Sequence, residues 1–183
     1  MGTLLFTDMN KVERAIRRSR AARAEPLEVS ARIKYLATTV SVMGEYHVMM
    51  ALNASMIAVH RHLDNDAVIR AAALLHAAIV AEGDRALLSA LMLHLGVMWA
   101  REGARPAIAN LVLSTLTLVS KLTVVHIDRL MYDARVLLVC KDIVSLPELQ
   151  TPASLAAVAS ITGVFRHSGW GNACLKETGL CPP

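Results

Sequence analysis

The chain has 183 residues, of which 55% are hydrophobic and only 4% are aromatic, and its formal net charge is +4. This length suits one domain with one core. The apolar runs fall short of the roughly 18 uninterrupted residues of a membrane span, so we expect no transmembrane helix.

The compartment is predicted from the N-terminal residues and the cysteines. Asp8, Lys11 and Glu13 interrupt any apolar signal region, and the three cysteines are few and odd in number. We therefore expect an intracellular, cytoplasmic protein, with a host cell as the setting if the chain is viral. Cys174 and Cys181 are left with two alternatives, a disulfide or two free thiols.

Charge is concentrated at the N-terminus. Residues 1–34 carry eight basic and four acidic side chains, which accounts for the whole net charge. This distribution predicts three segments: a basic N-terminal helix or arm (1–26), a helical core (27–167) and an irregular C-terminal tail (168–183).

Helical spacing begins in the basic segment. The first helix should run from Asp8 or Asn10, either of which can act as its cap, to Ala24 before Pro26. A second helix is predicted from about Ser30 to Arg61, where apolar residues recur in steps of three and four, and Gly44 is the position at which it would bend. This stripe, between residues 33 and 57, packs either within its own bundle or against a second copy of the chain.

The middle of the chain predicts three more helices. Residues 64–66 can cap a helix that ends at Gly83. Asp84 can cap the following helix, which ends at Gly103. Pro106 opens a helix at 106–125 that is apolar nearly all round, as a central helix would be. Leu111, Leu118 and Leu122 are expected to be buried in it.

Two further helices are predicted at 127–142 and from Thr151-Pro152 to about His167, followed by a tail that is irregular or holds one short turn. No segment alternates with the period of two that marks a strand. The sequence therefore predicts an all-α, single-domain bundle of about six to eight helices around the central helix.

Enzyme chemistry is not indicated. No glycine-rich phosphate loop, zinc-protease motif or nucleophile elbow is present. His60 and His62 diverge on a helix because residues two apart point about 200° apart. His167, Cys174 and Cys181 match no short metal-binding spacing. We expect a non-enzymatic protein without metal or cofactor, in which His47, His76, His94 and His126 are core residues.

The basic segment suggests a polyanion-binding function. Residues 11–34 would contact nucleic acid through phosphate groups, as in a viral core, assembly or regulatory protein. Anionic lipid, an acidic protein, or a merely solvated cationic face are the alternatives. The candidate side chains are Lys11, Arg14, Arg17, Arg18, Arg20 and Arg23.

Three motifs together carry a family resemblance. In order they are an apolar stripe ending in Met43-Gly44-Glu45, a tryptophan followed by arginine at Trp99 and Arg101, and a glycine–tryptophan pair at Gly169 and Trp170. In this order they resemble the homology regions of the B-cell-lymphoma family of apoptosis regulators, in particular viral-type members without a C-terminal anchor.

The resemblance implies a helical bundle around one apolar helix, with a surface groove that binds an amphipathic helix of a partner protein. Arg101 would pair with an acidic residue of that helix, and Trp99 would pack under the groove floor. Taken alone, residues 101–103 indicate an ordinary helix C-terminus, where a cation and a glycine are expected. The residues therefore leave two interpretations of this stretch, a partner site or a helix corner.

Overall fold

The computed structural model describes residues 2–21, 25–103, 105–122, 127–133 and 135–180. Over these residues the protein is all-α: it is 84% helical, with ten α-helices and no strand. The predicted all-α helical class is confirmed. The chain divides into two compact units, Met1–His94 (unit 1) and Leu95–Pro183 (unit 2). None of the described helices is both long enough and apolar enough to cross a bilayer.

Unit 1 is built around the packing of its second and fourth helices. The helix α2 packs along α4, and α1 packs on α2 and α3. Val12, Ile33, Leu36, Leu52 and Leu75 are almost completely buried and form the centre of this unit. The elements are α1 (Gly2–Ser19), α2 (Pro26–Thr38), a 3-10 turn (Val40–Val42), α3 (Glu45–Arg61), α4 (Asp66–Glu82) and the first part of α5 (Arg85–Glu102).

The helix predicted over 30–61, with a bend at Gly44, is two helices, because the chain breaks between Thr38 and Glu45. The hydroxyls of Thr38 and Thr39 donate to the carbonyl oxygen of Tyr35, at 2.8 and 3.1 Å. Such local bonds offer the backbone an alternative to the helix. Gly44 is extended and precedes α3.

The apolar stripe is thereby folded into unit 1. Ile33, Leu36, Val40 and Ala54 are at most 2% exposed. Of the two alternatives for the stripe, packing within its own unit is the one observed for these residues. These four side chains offer no free surface to a second copy of the chain. The homo-oligomer that the stripe suggested stays an untested prediction.

Unit 2 is organised around α9. This helix packs on α6, α8 and α10, and α10 also contacts α8. Phe165, at the end of α9, is the largest completely buried side chain. The elements after α5 are α6 (Pro106–Val119), α7 (Ile127–Asp133), α8 (Val136–Ser145), a 3-10 turn (Pro147–Leu149), α9 (Pro152–Phe165) and α10 (Gly169–Thr178).

Three predicted boundaries in unit 2 need correction. The central helix ends at Val119 rather than near 125, and the helix expected over 127–142 is two helices. Arg135, which precedes α8, adopts φ +60°, a left-handed conformation that interrupts a helix. The tail that was expected to be irregular contains α10. The side chain of Ser168 caps this helix by accepting a hydrogen bond from the backbone N–H of Gly171. The helix ends at Gly179, which adopts the left-handed conformation. Together with the break between α2 and α3, the division into α7 and α8 and the added α10 explain why ten helices replace the predicted six to eight.

The helix α6 provides a stability prediction. Leu111 is 3% exposed, as expected, Leu122 is half-buried, and Leu118 is 40% exposed, so its predicted burial was wrong. Asn110, Ser114 and Leu118, spaced by four, form one exposed row of the helix.

We expect Leu111→Ala to lower the free energy of unfolding by about 2–5 kcal/mol, because it leaves a cavity in a packed core. Leu118→Ala should cost less than about 1 kcal/mol, as surface substitutions do. Urea denaturation followed by circular dichroism measures both, and equal costs would contradict the arrangement of α6.

Candidate functional site

Trp99 is fixed by a polar contact on α8. Its indole N–H donates to Oδ2 of Asp142 at 2.8 Å, and the ring is half-buried. Gly103 lies directly against it: a Cβ at this position would be 2.5 Å from the carbonyl oxygen of Trp99 and 2.7 Å from the indole ring. Residue 103 has to be glycine because of this close approach and not because of a left-handed backbone. Within the described chain, the glycines with a positive φ are Gly83 and Gly179.

Arg101 lies on the solvent side of the same helical turn. Its side chain is exposed, and within the described residues it has no hydrogen bond or ion pair. The next cation, Arg105, differs because it pairs with Glu102 at 3.0 Å. Arg101 is therefore available to a ligand carboxylate, two residues from an indole whose orientation Asp142 holds.

The helix α8 presents one exposed face next to Trp99. We call this surface the α8 face; Leu138 and Val144 are 47% and 44% exposed, so it carries apolar area as well as charge. Because Asp142 accepts from Trp99, the last turn of α5 lies at one edge of this face. Its residues are Leu138, Lys141, Asp142, Val144 and Ser145.

At its other edge the α8 face meets the end of α10 in a cleft of about 290 Å³. We call it the α8–α10 cleft. Val144 and Leu180 supply apolar surface, and Lys141 and Lys176 supply positive charge on both sides. Glu177 also lines the cleft, which leaves an excess of one cation there. The α8 face thus carries one cation, Lys141, and Lys176 lies across the cleft, while Arg101 belongs to the turn of α5 at the other edge.

Trp170 has different surroundings from Trp99. It is 39% exposed, its ring meets that of Tyr132 edge-on with centroids 5.2 Å apart, and the Arg129 guanidinium lies 5.8 Å from its centroid. It stands in the first turn of α10, whereas the α8–α10 cleft involves the last turn, so it does not line that cleft.

Gly169 is exposed, and a Cβ there would meet nothing within 4 Å. The glycine in this helix that has a close neighbour is Gly171, which no sequence motif had indicated. Gly169 and Trp170 begin α10, and their part in a partner site stays a prediction.

Four of the six predicted polyanion-binding residues lie on one exposed face of α1. Val12, Ile16 and Ser19 are buried on the opposite side. Of the six candidates, Arg20 is half-buried and Arg23 lies outside the described residues. The exposed four are Lys11, Arg14, Arg17 and Arg18.

Buried titratable groups lie elsewhere. Burial raises the pKa of the Cys140 thiol to about 12, so it carries almost no thiolate at neutral pH and is a poor nucleophile. Cys174 is buried with a free thiol, and its predicted partner Cys181 lies outside the described residues. His76 and His94, predicted as separate core residues, are packed against each other with ring centroids 5.4 Å apart.

Comparison with protein-family models, with curated proteins and with solved structures found no match for this chain. The resemblance to the apoptosis regulators stays a prediction that rests on the quoted motifs.

Proposed function

We propose that this protein is a non-enzymatic interaction module whose unit 2 binds an amphipathic helix of a partner protein across the α8 face. The single observation that carries the proposal is Arg101: an exposed guanidinium with no partner among the described residues, in the same helical turn as a tryptophan held by Asp142. Arginine and tryptophan are among the residues that most often anchor protein interfaces.

The charges of the surface specify the partner. Lys141 and Lys176 line the α8–α10 cleft and Arg101 lies in the adjoining turn of α5, while the nearby carboxylate of Asp142 is engaged by Trp99 and that of Glu102 by Arg105. A complementary helix carries acidic residues at its edges, since matched potentials favour association and orient the partner.

The apolar part of the surface specifies the shape of the partner. Leu138 and Val144 lie on the α8 face, and Leu180 closes the α8–α10 cleft, which takes a few apolar side chains rather than a whole helix. A helix with apolar residues at positions i, i+3 or i+4, and i+7 presents such side chains in one row. In the family that the motifs resemble, this ligand is a death-domain helix, and the protein would regulate apoptosis in a host cell.

The substitution Arg101→Glu tests the proposal. Truncating one member of a buried charge pair typically weakens binding by about 2–5 kcal/mol, roughly 30- to 5,000-fold, and reversing the charge should cost at least as much. Stability should change little, because an exposed cation at a helix C-terminus contributes only about 0.3–1 kcal/mol. The two measurements are fluorescence anisotropy with labelled 20-residue amphipathic death-domain peptides and a thermal melt of the variant.

The matched control is Arg166→Glu, which makes the same charge change at an exposed residue after α9. It should bind the peptides like the wild type. The proposal fails if the wild type binds no such peptide at tens of micromolar, or if both variants weaken binding equally. Unfolding of Arg101→Glu would instead assign Arg101 to the structure of the helix corner.

A further inference from the structure

The exposed side of α1 carries four cations close together. Lys11, Arg14 and Arg18 follow one another at steps of three and four, and Arg17 lies next to Arg14 on the helix surface. We call these four residues the α1 basic face. The acidic side chain at its edge is Glu13, which pairs with Arg17 at 3.1 Å.

Two arginines from other helices extend this face at its C-terminal end. Arg32 of α2 donates to the carbonyl oxygen of Arg18 at 3.0 Å, and Arg61 of α3 donates to that of Arg20 at 2.6 Å. Each guanidinium has five N–H donors, so these bonds leave further donors for a phosphate. Arg32 also forms an ion pair with Glu28 of its own helix. Arg61 contacts the end of the α1 segment because the fold packs the end of α3 against it.

An aromatic side chain stands beside the cations. Tyr46 of α3 is 69% exposed and shares with Arg17 a cleft of about 250 Å³, the α1–α3 cleft. His47 lies edge-on to the tyrosine ring with centroids 5.4 Å apart, and it faces Glu13 at 3.7 Å. The sequence shows no aromatic between the arginines of α1, but the fold brings one from 29 residues beyond Arg17.

We propose that unit 1 binds single-stranded nucleic acid, with its phosphates along the α1 basic face and a base stacked on Tyr46. Cations that follow a backbone next to an exposed aromatic ring are the usual means of binding single strands. A duplex offers phosphates but keeps its base faces stacked inside, so it leaves Tyr46 without a role.

A membrane surface fits less well than a nucleic acid. An amphipathic helix binds a bilayer by inserting its apolar face. Among the α1 side chains that the structure describes, the apolar ones are already used within unit 1, where Val12 and Ile16 are 0% and 3% exposed. The accessible side chains over residues 11–18 are mainly cationic, which suits phosphates without insertion.

The proposal is tested on the full chain by anisotropy with a fluorescein-labelled 20-nucleotide oligothymidine over a range of salt concentrations. The triple variant Arg14→Ala, Arg17→Ala, Arg18→Ala should reduce the log–log salt slope by about 2, because each arginine that neutralises a phosphate of a single strand adds roughly 0.7 to that slope. The triple control Arg70→Ala, Arg85→Ala, Lys121→Ala removes the same charge from exposed positions outside α1–α3, and it should leave the slope unchanged.

Tyr46 separates the single strand from the other ligands. Tyr46→Ala should weaken oligothymidine binding about 5- to 100-fold with an unaltered salt slope, while Tyr46→Phe, which keeps the ring, should bind like the wild type. Neither should change binding of a 20-base-pair duplex.

Four results would overturn the proposal. The first is no binding of oligothymidine at 50 mM salt and tens of micromolar protein, and the second is an equal reduction of the salt slope in the two triple variants. The third is tighter binding of the duplex than of the single strand with no effect of Tyr46→Ala, and the fourth is tighter binding to phosphatidylserine vesicles than to the oligonucleotide. Circular dichroism of each variant verifies that it is folded. The peptide experiment on unit 2 is independent of all four.

Discussion

Gly171→Ala should lower the free energy of unfolding by about 3 kcal/mol or more. A Cβ at this position would lie 2.1 Å from the carbonyl oxygen of Phe165 and 2.8 Å from its carbonyl carbon. These are backbone atoms, which cannot rotate away, so α10 has to move from the end of α9. Overfilling a packed core typically costs about 1–3 kcal/mol, and a backbone clash belongs at the upper end of that range or beyond it.

The matched control is Gly169→Ala, two residues earlier on the same helix. A Cβ there meets nothing within 4 Å, and alanine is a better helix former than glycine, so we expect a change within about 0.5 kcal/mol. Urea denaturation followed by both tryptophan fluorescence and circular dichroism measures the two variants, since both tryptophans lie in unit 2. Equal stabilities would show that α10 does not approach α9 as closely as these distances require.

The glycines illustrate what local sequence can and cannot predict. Gly83 stands after a helix in the left-handed conformation, as its position predicts. Gly103 also follows a helix, yet what requires glycine there is the indole ring of Trp99. A glycine that ends a helix and a glycine that lies against a neighbouring side chain look alike in a sequence. The packing of the helices determines which residue becomes the neighbour.

The helical class was predictable because the apolar spacing along the chain is local information. The two faces of α1 follow from the same spacing, and they put Lys11 and Arg14 in solvent and Val12 in the core. Helix breaks were less predictable. The hydroxyls of Thr38 and Thr39 compete with the helix only when their neighbours allow it.

The candidate sites depend on contacts distant in sequence. Trp99 and Asp142 are 43 residues apart, and Arg61 reaches a carbonyl 41 residues before it. No periodicity relates such positions. The sequence therefore indicated single residues of each site, Arg101 in one and Arg17 in the other, while their partners became evident only from the packing of helices.

Unit 1 should lose stability as the pH falls below about 6.5, because it buries two neutral histidines. His76 of α4 and His94 of α5 meet edge-on, with ring centroids 5.4 Å apart and ring planes at 81°. Burial lowers the pKa of His94 from 6.5 to about 4. Burial, and then the nearby His94, hold the pKa of His76 well below its ordinary value. A charged imidazole in this buried position would lack hydration. In addition, Nε2 of His94 has no hydrogen-bond partner within the described residues that could stabilise the charge.

The direction of the effect follows from proton uptake. In the unfolded chain both imidazoles take up protons below about 6.5, whereas in the folded protein they stay neutral to lower pH. The unfolded state thus binds more protons, and the free energy of unfolding falls as the pH falls through this window. One such histidine changes it by about 1.4 kcal/mol per pH unit, and two by nearly twice as much. For His94 alone the loss accumulates to about 3 kcal/mol by pH 4.

Urea denaturation at pH 7.5, 6.5, 5.5 and 5.0, followed by circular dichroism, measures this dependence where most carboxylates remain ionised. His94→Gln removes one of the two buried imidazoles and should roughly halve the slope of unfolding free energy against pH, whatever its effect on absolute stability. The matched control is His60→Gln, the same substitution at an exposed position of the same unit, and it should leave the slope unchanged. A wild-type slope in His94→Gln would mean that His94 is protonated inside the folded protein or reaches solvent, and either result contradicts the packing of α4 against α5 within unit 1.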